Sequence, residues 1–557
     1  MKEIRINLII LLFLLVGAAV IGKLFFLQIV NYDFYSALAK GQHSFFDNII
    51  GERGEIFSQD KSGQVRPLAV NVSSLVCFAS IGEVEDTGET ASKLSGILGI
   101  EKDVLLKKME ESFSNFLILK EDLSEEESFL VKEASLPGIY SIEQGKRNYP
   151  YEDFAAHLVG FVNKDKEGQY GVEQHYDELL SPESLFVEGE KGPAGYFVPE
   201  EESMLKGADV YLTIDYNIQF QAEKLLDFAQ ESLDIEGGQI IVADPYTGKI
   251  LALASLPKFD PNSYGSFEME YFINGATQKL YEPGSVLKAV TVASAMNEGA
   301  VTPNTTYTDE GFVNIGGYKI ENYDQRVYGQ GVTMTEVLEK SINTGAVFAE
   351  SRLGHQKFLE YLEDFKLFEP TEIDLPGESF SRNEELKKGY EIGFATASFG
   401  QGIALTPMQL LRAFCALANG GNMVTPFVVE KTVKGDKITV TEPEIQKEKV
   451  ISGETSSKIT AMLVSVVENA FSRRAQIPGY YVAGKTGTAQ IPLLDAKGYS
   501  DDTWQTFIGY APAFDPRFII LVKLDNPEAK TAEYSAIPVF HDLAKYIIDY
   551  YQISPDK

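Results

Sequence analysis

The chain is poor in the residues that build the commonest catalytic and metal centres. Only two cysteines, Cys77 and Cys415, occur in 557 residues. They stand far apart, so neither a disulfide framework nor a cysteine-based metal site can be assembled from them. Histidine is scarce too: His43, His157, His175, His355 and His541. No H-x-x-x-H pair exists and none lies next to a serine motif. A Ser-His-Asp triad or a zinc centre therefore has no sequence support, and no metal or cofactor is expected. Basic residues are also few. Lys and Arg number 49 against 81 Asp and Glu, a formal net charge of −32. With no basic cluster, that balance argues against a nucleic-acid partner.

Long apolar runs are rare, and one is present. Residues 8–22, "LIILLFLLVGAAVIG", carry no charge. With their flanks they reach the roughly 20 residues of a spanning helix. Lys2 and Arg5 precede the run, which keeps the N-terminus cytoplasmic and exports the remainder of the chain. The run continues past Ala18 and Ala19, which favours an uncleaved anchor over a removed signal peptide. The expectation is a single-pass plasma-membrane protein, with a cytoplasmic tail at 1–6, an anchor at 7–30 and an extracytoplasmic body.

That body is too long for one ordinary core. Residues 31–43 read as a continuing helix. Residues 51–80 set short apolar runs between turn residues and predict strands. Helical spacing with many charges fills 87–133, where Glu125, Glu126 and Glu127 read as a solvated helix start. Residues 145–180 carry loop, helix and turn signals. A Gly-, Pro- and Glu-rich stretch, 181–207, reads as irregular hairpins and a connector. This places an elongated mixed α/β pedestal at 31–205 and a second domain at 206–557.

The second domain begins with a strand and an amphipathic helix. Two apolar strands around "DPYTGK" then predict a hairpin. A mostly helical middle comes next. Three strand-like runs, "YYVAGKTGTAQ", "TFIGYAP" and "RFIILVKLDNP", precede a last helix, "IPVFHDLAKYIIDYY". Strands at both ends with helices between them predict an antiparallel sheet flanked by helices, within a multidomain α+β protein.

Three short motifs lie in this domain: Ser285-Val286-Leu287-Lys288, Ser341-Ile342-Asn343 and Lys485-Thr486-Gly487 with Thr488 after it. Each alone is weak. S-x-x-K recurs at Ser255–Lys258 and Ser554–Lys557, S-x-N at Ser381–Asn383, and a K-S-G at Lys61–Gly63. Pro257 breaks the first decoy, the second is the terminal tail, and "SRNEELKK" reads as a helix cap. Only the set at 285, 341 and 485 has the right order inside one domain.

The residue types suit one chemistry. Positions i and i+3 share a helix face, so Lys288 can reach the hydroxyl of Ser285. An exposed lysine, with a pKa near ~10.4, is no base at neutral pH. Burial beside a second cation such as Lys485 would make its free amine available. A helix start at Ser285 would turn N–H groups toward a developing oxyanion. Ser341 is a candidate proton relay, and Asn343 a candidate holder of a substrate amide. Gly487 would let an edge strand approach an extended peptide closely, with Lys485 and Thr486 meeting its terminal carboxylate.

At these residues the chain resembles a class B, high-molecular-weight penicillin-binding protein. The likeness runs nearly end to end: "ERGEIFSQDKSG", "NYPYEDFAAHLVGFV", "GQYGVEQHYDELL", "TIDYNIQFQAE", "ADPYTGKILALAS", the three motifs, and "FGQGIALTPMQLLRAFCALANGG". The resemblance implies a pedestal of the penicillin-binding protein dimerisation type and a C-terminal serine β-lactamase/transpeptidase-like domain. It implies a peptidoglycan D,D-transpeptidase that acylates Ser285 with a pentapeptide stem and releases D-Ala. An amine of a neighbouring stem then takes the acyl group. By motif, Lys288 is the general base, and Ser341 and Asn343 assist proton transfer and substrate binding. Lys485, Thr486 and Thr488 line the carboxylate site beside Gly487, and the N–H groups of Ser285 and Thr488 form the oxyanion hole. β-Lactam antibiotics would acylate the same serine. Expected partners are a polytopic glycosyltransferase of the SEDS type and bitopic divisome proteins. Two departures stand out: S-I-N replaces S-D-N, and the family's D-R-x-G element is offset at Ser58–Gly63.

"EPGSVLK" and "AGKTGTAQ" look like the division-type branch. Elongation-type and sporulation-specific relatives share the chemistry. A hydrolase, either β-lactamase or D,D-carboxypeptidase, would use the same serine but transfer to water. A non-catalytic sensor or scaffold is disfavoured by three intact motifs.

Overall fold

A computed structural model describes residues 44–50, 52–112, 116–182, 184–190, 206–493 and 498–557. The anchor at 7–30 and the helix expected at 31–43 lie outside the described residues. Among the described residues no helix is long and apolar enough to cross a membrane.

The chain divides into two units. The smaller, residues 1–53 and 181–207, holds an antiparallel pair of strands, Ser44–Ile50 and Ser184–Glu190. Part of the stretch expected to form irregular hairpins is therefore a regular strand.

The larger unit spans residues 54–180 and 208–557. Its centre is a five-stranded antiparallel sheet in the order Ile250–Leu256, Gly237–Ala243, Phe518–Asp525, Tyr499–Ala511, Ala483–Pro492. The middle strand shows why its run is apolar without alternation. Ile520, Val522 and Leu524 face the helices Tyr216–Leu233 and Ala536–Tyr551, packing with Leu226, Phe540 and Leu543. Ile519 and Leu521 face the other core, built from the helices Lys288–Asn297, Pro407–Ala418 and Gly453–Asn469. A strand buried on both sides needs apolar residues at every position.

A second, mixed sheet has the order Lys437–Val440, Val429–Lys434, Asp209–Asp215, Ile56–Gln59, Val65–Ser80, Phe116–Lys120, and Ile139–Asn148 also pairs with Val65–Ser80. The pairing of Ile56–Gln59 with Asp209–Asp215 is parallel, and the strands come from both sides of residue 205. Strand Asp209–Asp215, expected to open the second domain, thus belongs to this sheet. Helices Thr87–Leu98, Lys102–Glu110 and Glu125–Ala134 cover Cys77, Ala79, Leu119 and Ile139. Ser124 and Glu127 form a reciprocal capping box, so the glutamate run is a helix start. Both described cysteines are buried and unpaired.

Two local expectations need correction. Strand Phe116–Lys120 interrupts the stretch read as helical, and it forms because its backbone pairs with Cys77–Ser80. The helical middle also contains two small antiparallel pairs, Thr306–Asp309 with Gly329–Thr333 and Phe312–Ile315 with Tyr318–Glu321. The offset Ser58–Gly63 element ends the strand Ile56–Gln59 and enters the turn that leads to Val65–Ser80. There Asp60 accepts from the N–H groups of Ser62 and Gln64 at 2.8 and 3.0 Å.

Candidate active site

Ser285 lies in a 3-10 turn, Gly284–Leu287, that runs into the buried helix Lys288–Asn297. The α-helix therefore starts at Lys288, three residues later than expected. At the head of the turn, the N–H of Ser285 is among the donors that the turn itself cannot satisfy. Gly284 takes φ +59, and its N–H donates to the Gly400 carbonyl at 3.0 Å. This pins the turn to the "FGQG" loop.

Lys288 is 0% exposed. Its Nζ donates to the Ser341 carbonyl at 2.6 Å and to Asn343 Oδ1 at 2.8 Å, and lies 3.3 Å from Ser341 Oγ. Ser341 sits in the left-handed region at φ +52, which costs a non-glycine residue on the order of 1–3 kcal/mol. Its carbonyl is the acceptor closest to the amine. Asn343 opens the helix Asn343–Leu353, and its Nδ2 donates to the Glu321 carbonyl at 2.9 Å.

Lys485, 1% exposed, comes from the edge strand Ala483–Pro492. Its Nζ donates to Ser341 Oγ at 3.1 Å and to the Thr486 carbonyl at 3.2 Å. Two buried amines thus share one hydroxyl. Burial, and then the charge of Lys485, hold the pKa of Lys288 well below the usual lysine range. Burial alone lowers that of Lys485 to about 7. Among the described residues neither amine is paired with a carboxylate, so no nearby negative charge opposes the loss of its proton.

The edge strand sits hard against the serine turn. A Cβ on Gly487 would lie 2.6 Å from the Pro283 carbonyl and 2.7 Å from Val286 Cγ2. No larger residue fits without separating the two elements. Thr486, Thr488 and Gln490 alternate along the strand and line a groove of about 620 Å³ together with Ser285, Ser341 and Asn343. Tyr323, Arg326 and Tyr328 line it as well. That volume suits a short peptide tail. All eight motif residues therefore converge on one region: Gly487 at the wall, Lys288 and Lys485 beneath it, the others on the groove.

The decoys lie elsewhere. Ser255 is buried and accepts the Gly275 N–H at 3.3 Å. Lys258 pairs with Asp227 at 2.7 Å and lies 3.7 Å from Glu223. Ser381 accepts from the N–H of Asn383, at the start of the helix Glu384–Lys387. Ser554 lines a separate cavity, about 810 Å³, near Asp244, Tyr481 and Arg517, which contains none of the motif residues. The described histidines are engaged away from the site: His157 with the Tyr271 carbonyl, His355 with Glu350, His541 with Asp542, and His175 against Tyr176. Among the described residues no cluster of three metal-ligating side chains occurs.

Sequence reasoning missed two supports. The Glu321 carbonyl that orients Asn343 is a backbone group and leaves no sequence signal. Glu282, three residues before Ser285, accepts from Tyr499 at 3.2 Å and from the Gly402 N–H at 3.1 Å. An acidic residue beside a Pro-Gly turn was the available hint.

A family model for the penicillin binding protein transpeptidase domain matches residues 238–545, more than half of the chain, and one for the penicillin-binding protein dimerisation domain matches residues 48–212. The chain belongs to the class B penicillin-binding proteins. It is 32% identical to Stage V sporulation protein D of Bacillus subtilis, over 94% of this chain and 82% of that protein. It is 29% identical to a peptidoglycan D,D-transpeptidase FtsI homolog of Mesostigma viride, over 99% of this chain and 96% of the other. Among solved structures, penicillin-binding protein 3 of Mycobacterium tuberculosis complexed with ampicillin superposes with a TM-score of 0.70 at 26% identity, covering 92% of this chain and 98% of that one. The two-domain penicillin-binding protein fold and the transpeptidase class of enzyme are thereby shown.

Proposed function

We propose that this penicillin-binding protein is a membrane-anchored peptidoglycan D,D-transpeptidase working outside the cytoplasmic membrane in septal wall synthesis. The observation that carries the reading is the meeting of two buried, carboxylate-free lysines at Ser341, beside the turn that bears Ser285.

In the reading, an extended stem peptide adds to the open edge of Ala483–Pro492 and places its terminal carboxylate by Lys485, Thr486 and Thr488. The hydroxyl of Ser285 attacks the penultimate D-Ala carbonyl and gives its proton to the neutral amine of Lys288. The N–H groups of Ser285 and Thr488 receive the oxyanion. The C–N bond to the last D-Ala breaks, and Lys288 returns a proton to the leaving amine through Ser341. An ester on Ser285 remains. An acceptor amine repeats the steps in reverse, forms the new amide and restores the serine hydroxyl. A β-lactam enters by the first half of this sequence.

The charge-free run at 8–22, with Lys2 and Arg5 before it, supports the anchor and its orientation. A SEDS-type polytopic glycosyltransferase and bitopic divisome proteins are the proposed partners. The test is full-length protein in detergent, supplied with uncross-linked pentapeptide glycan, with and without such a glycosyltransferase. Cross-linked stems with equimolar D-Ala are expected by mass spectrometry. D-Ala release without cross-links under both conditions would make the protein a carboxypeptidase.

A second reading is a sporulation-specific role, favoured by the 32% identity to Stage V sporulation protein D. A fluorescent fusion separates them. Septal signal in growing cells supports division, and signal confined to sporulating cells supports the second reading.

A further inference from the structure

Asp309 ends the strand Thr306–Asp309 and is 1% exposed, yet every donor that reaches its carboxylate is uncharged. Oδ1 accepts from Thr344 Oγ1 at 2.6 Å, Asn322 Nδ2 at 2.9 Å and the Gly311 N–H at 3.1 Å. Oδ2 accepts from the Tyr328 N–H at 2.8 Å and Asn322 Nδ2 at 3.1 Å. Burial pushes its pKa up. The hydrogen bonds from Thr344, Tyr328, Asn322 and Gly311 outweigh that and hold the carboxyl below its ordinary range. A buried carboxylate this well satisfied fixes the groups that satisfy it.

Those groups flank the catalytic apparatus. Thr344 comes directly after Asn343, the acceptor for Lys288, and Asn322 directly after Glu321, whose carbonyl holds the Asn343 amide. A direct bond closes the ring, from the Thr344 N–H to Asn322 Oδ1 at 3.1 Å. Because the Thr344 hydroxyl donates to Asp309, Tyr307, 3.0 Å away, donates its own proton to Thr344. The same carboxylate holds Tyr328, and so one wall of the groove.

We infer that Asp309 is a positioning residue for the acyl-transfer reaction, aiming Asn343 at Lys288 while hanging the 322–328 groove wall on the same carboxylate. It rests on the acyl-serine reading above. The test is the second-order rate of acylation by a fluorescent penicillin, measured across pH on the full chain with a melting curve for each variant. Asp309→Asn keeps the shape but turns one acceptor into a donor. Hydrogen bonds to charged groups are worth enough that a fall of roughly 10- to 100-fold is expected. Its acid limb should move to lower pH, because the Lys288 ammonium loses an acceptor while Ser341 and Lys485 still face it. Partial unfolding would instead lower the rate evenly at all pH values. Thr344→Val should act in the same direction, and the double variant should be no slower than the slower single one. Glu310→Gln, an exposed neighbour, should acylate as wild type does. Asp309→Asn that melts cooperatively, acylates within about twofold of wild type and keeps its limb overturns the inference. If that variant does not fold, an unchanged rate and limb in Thr344→Val overturns it. Failure of wild type itself to label would sink the acyl-serine reading instead.

Discussion

Replacing Gly487 with alanine perturbs the site by one methyl group. The added carbon would stand 2.6 Å from the Pro283 carbonyl oxygen and 2.7 Å from Val286 Cγ2. Val286 can adjust its rotamer, but the carbonyl is backbone. Restoring an ordinary contact of about 3.4 Å would require the strand and the serine turn to part by roughly 0.8 Å, and misplacement near 1 Å can cost on the order of 100-fold in rate. Stability should suffer less. Overpacking costs about 1–3 kcal/mol, and alanine recovers about 0.4–1 kcal/mol by restricting the unfolded chain. The expected outcome is a 10- to 100-fold slower acylation by fluorescent penicillin with a fall in Tm of only a few degrees. Gly487→Ala acylating within twofold of wild type would refute the claim that the contact between strand and turn sets the geometry.

Lys288→Gln should slow acylation by about 100- to 10,000-fold, the typical worth of a general base. It should melt at or above the wild-type temperature, since it removes a buried amine that no carboxylate pairs. Lys485 has its folded pKa lowered to about 7, so above that pH the unfolded chain binds more protons than the folded one. Its contribution to stability is therefore lost as pH falls through about 7 and returns as pH rises toward the ordinary lysine range. Thermal melts of wild type should show that rise, and Lys485→Met should flatten it. Lys258→Met should lower stability by about 1–3 kcal/mol by taking the cation from the buried Glu223, which keeps its hydrogen bonds from Ala155 and Gln219. It should leave acylation unchanged, because this S-x-x-K lies outside the groove.

The site was legible where its logic is local. Ser285 and Lys288 are linked by one turn, and Lys485 to Thr488 by the alternation of one strand, so spacing alone carries their relation. The hairpin around "DPYTGK" and the amphipathic helix Tyr216–Leu233 were legible for the same reason. Contacts across long separations were not. Asp309 reaches Thr344 over 35 residues and Tyr499 reaches Glu282 over 217, and nothing in either neighbourhood announces the partner. Strand Phe116–Lys120 was hidden because five residues between charged helices show too little period, and its pairing with Cys77–Ser80 decides the outcome.

The proposed transpeptidation rests on Ser285 as the acylated nucleophile. The most direct measurement is labelling of the full chain by a fluorescent penicillin in wild type, Ser285→Ala and Ser255→Ala, with the modified peptide located by mass spectrometry. Stable label on the peptide containing Ser285, lost in Ser285→Ala and kept in Ser255→Ala, is the predicted result. Label that persists in Ser285→Ala, or that wild type turns over rapidly to water, would contradict it.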